Sequence, residues 1–207
     1  MTEVVLRGTG GHARSCLDVV DPSAYTVRGC VGPPPAGSLQ APYLGEDELL
    51  AGLRQVGVRE VFVAVGDNAA RQQMAEETCA LGFDLATLIA ATARVSPTAS
   101  IGPGSVVMHG AVIGAYARLG KGVIVNTSAS VDHDCVVEDF DHLAPGTHLA
   151  GNVTVGSGAF LGVGVSVVPH RRIGEWSTVG AGATVIRDVP EASTAVGTPA
   201  ATREDLQ

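Results

Sequence analysis

Aliphatic residues recur at every sixth position from Val95 to Val185 with no insertion, and residues 95–190 read as sixteen consecutive hexads. The lead positions are Val95, Ile101, Val107, Ile113, Leu119, Val125, Val131, Val137, Leu143, Leu149, Val155, Leu161, Val167, Ile173, Val179 and Val185. Four residues after each lead the side chain is small or β-branched, except at Asp141 and Arg171. Glycine often follows the lead directly, as at Gly102, Gly114, Gly120, Gly156, Gly162, Gly174 and Gly180. A period of six fits neither the 3.6 of a helix nor a plain two-residue alternation. It predicts a parallel β-helix in which each hexad makes one short strand and one turn. Each lead then points inward, and stacked coils bury an aliphatic column that no single repeat could bury alone. Three hexads per triangular coil give about five coils, a prism roughly 25 Å tall at the ~4.8 Å strand spacing. The handedness rule for parallel crossovers argues for a right-handed coil.

The first 88 residues carry a different pattern. Val4–Leu6 form a short apolar strand that runs into Gly8-Thr9-Gly10-Gly11-His12-Ala13, and a helix presenting Cys16, Leu17, Val19 and Val20 to a sheet is expected next. Such a glycine turn leaves backbone N–H groups free at a helix N-terminus, where a phosphate can sit. The acidic residue of the dinucleotide fingerprint is not evident downstream, where the chain reads Gly29-Cys30-Val31-Gly32-Pro33-Pro34-Pro35. A Pro/Gly loop covers residues 33–42, a helix 47–56 and a strand 61–65. Gly66-Asp67-Asn68 ends that strand and caps a helix over 69–81, with Asp67 or Asn68 as N-cap. A last strand is expected over 85–89. Alternating strands and helices predict a small Rossmann-like parallel α/β domain over residues 1–88, followed by an all-β domain over 89–207 that ends in a ragged tail from Thr202. Ligands of such sheets bind beyond the strand C-terminal ends, which places the Gly8–His12 and Gly66–Asn68 loops at one site.

Composition narrows the class. The chain has 207 residues, a net charge of −8 and a single lysine, Lys121, which argues against a nucleic-acid partner. No apolar run approaches the ~20 residues of a membrane span, and no signal-peptide pattern opens the chain. Cys16, Cys30, Cys79 and Cys135 show no metal-ligand spacing and read as reduced thiols of a cytoplasmic protein.

The chemistry concentrates where the hexads depart from their own pattern. Asn126-Thr127-Ser128-Ala129-Ser130-Val131-Asp132-His133-Asp134-Cys135 is followed by Glu138-Asp139-Phe140-Asp141-His142, which puts two histidines and five carboxylates within eleven residues. A histidine beside a carboxylate is the standard arrangement for a general base, because the carboxylate fixes the tautomer and stabilises the imidazolium. A solvated acidic turn with incidental histidines is the bland alternative, and His133, Asp134 and His142 could also be read as metal ligands. Catalysis requires no metal here and none is expected. His109, His148 and His170 are lone turn residues, for which a surface position is expected.

The segments G-T-G-G-H-A, V-G-D-N (65–68), N-T-S-A-S-V-D-H-D-C, His142 and A-G-N-V (150–153) resemble, in order and over nearly the whole chain, the bacterial nucleotide-amino-sugar N-acetyltransferases and their sialic acid O-acetyltransferase relatives. That resemblance implies a left-handed β-helix, against the crossover rule. It also implies a homotrimer with active sites between subunits and direct acetyl transfer from acetyl-CoA. It makes His133 the general base, oriented by Asp134, where the family often carries Glu. It puts Asn126 near the acceptor sugar, His142 on the acetyl thioester, and the backbone N–H of Gly151 at the oxyanion. Val163, Gly180 and Ala181 match the pantetheine slot; Gly10, Gly11, His12, Asp67 and Asn68 match the nucleotide-sugar pocket. Val31-Gly32-Pro33 replaces the Asp residues that the family usually carries after its second strand, which leaves the nucleotide open. The leading expectation is N-acetylation of a nucleotide-linked amino sugar, a 4-amino-deoxy sugar first among the options. The alternatives are O-acetylation of a sialic acid or related sugar, and a non-catalytic β-helix scaffold.

Overall fold

The computed structural model describes residues 1–202; the expected tail beyond Thr202, residues 203–207, lies outside the described residues. The N-terminal part is a parallel sheet of β1 (Thr2–Arg7), β2 (Tyr25–Val31), β3 (Tyr43–Gly45), β4 (Glu60–Val63) and β5 (Asp84–Leu85), in the order β3-β2-β1-β4-β5. Helix α1 (Gly11–Asp18) lies on one side and buries Ala13, Cys16 and Val19 against Val4, Leu6 and Phe62. Helix α2 (Leu49–Gln55) packs Leu50 on the other side with Val5 and Val61, and α3 (Asn68–Ala80) packs Ala75 against Val63. This alternation is the one expected from strand sides of period two.

The hexads close into three parallel sheets of two-residue strands, wound as a left-handed parallel β-helix. The right-handed expectation of the crossover rule is therefore wrong here. The leads from Ile113 to Val185 are buried in one column, and Val95 and Ile101 at the open lower end are half-buried. The residue three after each lead from Ile101 to Val179 turns the corner in the left-handed conformation. Glycine fills it at Gly104, Gly122 and Gly158, while Tyr116, Asp134, Phe140 and Trp176 hold it with a side chain, at a cost of about 1 kcal/mol each.

The expected strand 85–89 is two strands. Leu85 ends the N-terminal sheet beside Val61, whereas Leu88–Ile89 pairs with Val106–Val107 and starts the prism. The run of apolar residues hid the break because its two halves pair in different sheets. The first prism face carries the outward ladder Leu88, Val106, Ile124, His142, Phe160, Thr178. Val106, Met108 and Ile124 pack directly under the N-terminal domain. The second face runs through Arg94, Val112, Ser130, His148, Ser166 and Thr184, and the third through Ser100, Arg118, Val136, Thr154 and Arg172. Among the described residues no helix is long and apolar enough to cross a membrane.

Candidate active site

His133 occupies the prism edge where the second face turns into the third. Asp134 beside it takes the left-handed corner position (φ 59°), which folds its carboxylate back so that Oδ2 lies 2.8 Å from His133 Nδ1. Asp132 Oδ1 accepts the His133 backbone N–H at 2.7 Å, fixing the loop from the other side. The hydrogen bond that His133 donates to Asp134 holds the imidazole above its usual pKa, with partial desolvation opposing and the charges of Asp132 and Asp134 adding to it. Nε2 points away from this pair and rests over the next coil at Gly151. A methyl group on Gly151 would come within 2.5 Å of the ring, and its N–H donates to no acceptor among the described residues. An imidazole, a carboxylate hydrogen-bonded to it and an unused backbone donor therefore share one edge. His133 is half exposed there, on a corner of the prism.

A second cluster lies on the first face, under the N-terminal domain. His142 Nδ1 lies 3.2 Å from the Gly66 carbonyl and Nε2 lies 3.1 Å from Asn126 Nδ2. A carbonyl can only accept and an amide nitrogen can only donate, so the ring carries its proton on Nδ1. His12 stands beside it, ring centroids 6.3 Å apart, and Phe160 contacts it edge-on at 5.3 Å. Burial first, then the nearby Arg71 and, for His12, His142, push both imidazoles down to about 4. They are neutral at any pH near 7.

These clusters do not meet within one chain. The edge that carries His133 is the one opposite the first face, so His133 and Asp134 stand across the prism from His12, Asn126 and His142. Val163, Gly180 and Ala181 form a third group at the edge between the first and second faces, stacked coil on coil with the Gly182 N–H donating to the Val163 carbonyl. Gly10 is the N-cap of α1 without a side-chain cap, Gly11 opens that helix, and Asp67 caps α3 by accepting from Ala70 N at 2.8 Å. Among the described residues no cluster of three or more His, Cys, Asp or Glu side chains could hold a metal ion.

Residues 3–78 match the family described as the PglD N-terminal domain. Over the whole length the chain is similar to PerB from Caulobacter crescentus, solved in complex with CoA and GDP-perosamine, with 41% identity, 98% of each chain covered and a TM-score of 0.94. The acetyltransferase domain of PglB from Neisseria gonorrhoeae, solved with acetyl coenzyme A, matches at 38% identity over 97% of this chain and 98% of that one, with a TM-score of 0.90. This chain belongs to the nucleotide-amino-sugar N-acetyltransferases of the hexapeptide-repeat superfamily. Among curated relatives, the bifunctional protein GlmU of Alkalilimnicola ehrlichii is 33% identical over 110 residues, a match that spans 24% of that protein.

Asn68 has a structural task beside the one expected of it. It was expected in the nucleotide-sugar pocket, yet its Nδ2 donates to the Gly158 and Ala159 carbonyls and its Oδ1 accepts from Arg71. Its amide ties α3 to the prism, and the residue also lines the adjoining groove. Pattern reading also missed Arg71. This side chain is 1% exposed and donates to the carbonyls of Val65, Gly66, Gly122, Phe140 and Asp141. It joins the loop after β4 to two prism coils without a direct carboxylate partner. Its signal was a lone cation one turn past the N-cap of α3, which sequence alone cannot distinguish from a solvated one. Asp141, the hexad exception, hangs inside the prism corner and accepts the Ala159 N–H at 2.7 Å. Burial holds its carboxyl well above the usual range, against the pull of the Ala159 N–H and Arg71.

Proposed function

We propose that this chain transfers the acetyl group of acetyl-CoA to the amine of a nucleotide-linked amino sugar, with His133 as general base. The observation that carries the reading is the His133–Asp134 pair over Gly151, in a chain matched end to end by enzymes solved with CoA and with a GDP-linked amino sugar. The amine nitrogen attacks the thioester carbonyl while His133 Nε2 takes its proton and Asp134 stabilises the imidazolium. The oxyanion is received by the N–H of Gly151, a type of donor worth about 3 kcal/mol in comparable sites. Collapse of the intermediate expels the CoA thiolate, which takes up the proton. Residues 1–88 bind the nucleotide sugar through Gly10, Gly11, His12 and Asp67, and residues 89–207 supply the acetyl-transfer chemistry. Asn126 and His142 stand near the acceptor and thioester, and Val163, Gly180 and Ala181 flank the pantetheine.

The separation of His133 from the cleft of its own chain supports a site assembled from two copies. A closed homotrimer, in which one chain's His133 edge faces the next chain's first face, supplies the missing wall at each of three equivalent sites. Dependence on acetyl-CoA fits a cytoplasmic enzyme. Thiol release from acetyl-CoA, screened over UDP-, dTDP- and GDP-linked 4-amino sugars and sialic acid, tests the reaction. Rapid release with one nucleotide amino sugar is expected. Release with sialic acid alone, or with none of them, overturns the reading.

A further inference from the structure

The edge between the third and first faces stacks the corner residues Gly122, Phe140, Gly158 and Trp176 on successive coils. Each aromatic ring folds down over the glycine beneath it: a methyl group on Gly122 would come within 2.5 Å of the Phe140 ring, and one on Gly158 within 2.5 Å of the Trp176 indole. The two rings are built alike and end differently. Phe140 is covered by α3 through Ala75 and is 3% exposed, whereas Trp176 is 45% exposed. Trp176 forms one wall of a groove of about 420 Å³, with Phe160 and Thr178 at its back and Gly66, Asp67 and Ala69 opposite. Large rings left half bare beside a formed cavity are characteristic of ligand walls, and this one keeps a left-handed backbone (φ 53°) that a bulky residue rarely adopts.

We infer that this groove seats the sugar ring of the nucleotide-linked acceptor, an apolar C–H face of the ring lying on the Trp176 indole and Asp67 reading its polar rim. The inference rests on the proposed function and names a recognition element of that same site. The groove begins at Gly66, in the loop after β4, whose carbonyl also accepts from His142, so it adjoins the strand ends at which a nucleotide sugar enters. It lies at the opposite edge of the first face from Val163, Gly180 and Ala181, which argues against CoA as its occupant.

Trp176 is the only tryptophan in the chain, so its emission reports on this groove alone. The expected result is an emission change on titration with one nucleotide-linked 4-amino sugar from the UDP, dTDP and GDP series, a much smaller change with the matching nucleoside diphosphate, and none with CoA. Trp176→Ala should raise KM for that sugar about tenfold or more while KM for acetyl-CoA stays within about twofold, and Trp176→Phe should restore most of the loss. A response to CoA, silence across the sugar panel, or an unchanged sugar KM in Trp176→Ala overturns the inference. Thiol release separates the two ideas. Catalysis with a silent Trp176 and a normal Trp176→Ala refutes the groove assignment alone. An emission response to a nucleotide amino sugar without thiol release refutes the reaction and leaves the groove standing.

Discussion

His133 and His142 belong to neighbouring coils of one prism, yet their surroundings set them to opposite tasks. His133 is half exposed on an open edge, paired with Asp134 and held above the usual imidazole pKa, so it exchanges a proton at physiological pH. His142 is buried beside His12 and Arg71, pinned between the Gly66 carbonyl and the Asn126 amide, and pushed down to about 4. It can direct a hydrogen bond but is a poor proton acceptor. Residue type alone therefore does not name the base. In the proposed mechanism the prism edge, the carboxylate partner and solvent exposure single out His133.

The largest effect that would break this contrast is on turnover. His133→Ala should lower kcat by at least ~10²-fold with little change in acetyl-CoA affinity, the scale of a lost general base; near-normal turnover would remove His133 from that role. A smaller effect sharpens it. Asp134→Asn removes the carboxylate charge and weakens the hydrogen bond that together raise the His133 pKa, so the acidic limb of kcat/KM should move to lower pH. An unmoved limb would mean that another group titrates. The smallest concerns stability. His12 and His142 fold with pKa values of about 4 against about 6.5 when unfolded, so between those values the unfolded chain binds more protons. Stability should be constant above about pH 6.5 and fall as pH drops towards 4. His142→Gln, which can still donate to Gly66 and accept from Asn126, should flatten that fall when Tm is compared at pH 7 and 5.

The prism was legible because a six-residue period leaves a mark at every coil, and the strand–helix alternation of the first 88 residues was legible for a similar reason. The hand was not, since it depends on how coils close and not on what they bury. The break between Leu85 and Leu88 was hidden because two apolar segments of different sheets follow each other in sequence. The dyad at His133 stood out because carboxylates rarely interrupt a repeat without cause. Arg71 and Trp176 did not, because their importance lies in what the two domains bring against them. Asn68 matched its motif, and what sequence could not show is that its amide also ties α3 to the prism beside the groove.

The central claim is that one chain's His133 serves another chain's cleft, and mixing two inactive variants tests it directly. Co-expressed His133→Ala and His142→Ala chains would form mixed assemblies in which a native base faces a native cleft at about a quarter of the sites, if the copies combine at random in a closed ring. The account predicts that thiol release, low in each variant alone, returns to roughly that fraction of wild type. Release that stays at the level of the separate variants, in a preparation shown to contain mixed assemblies, would place the base and the cleft in the same chain and contradict it.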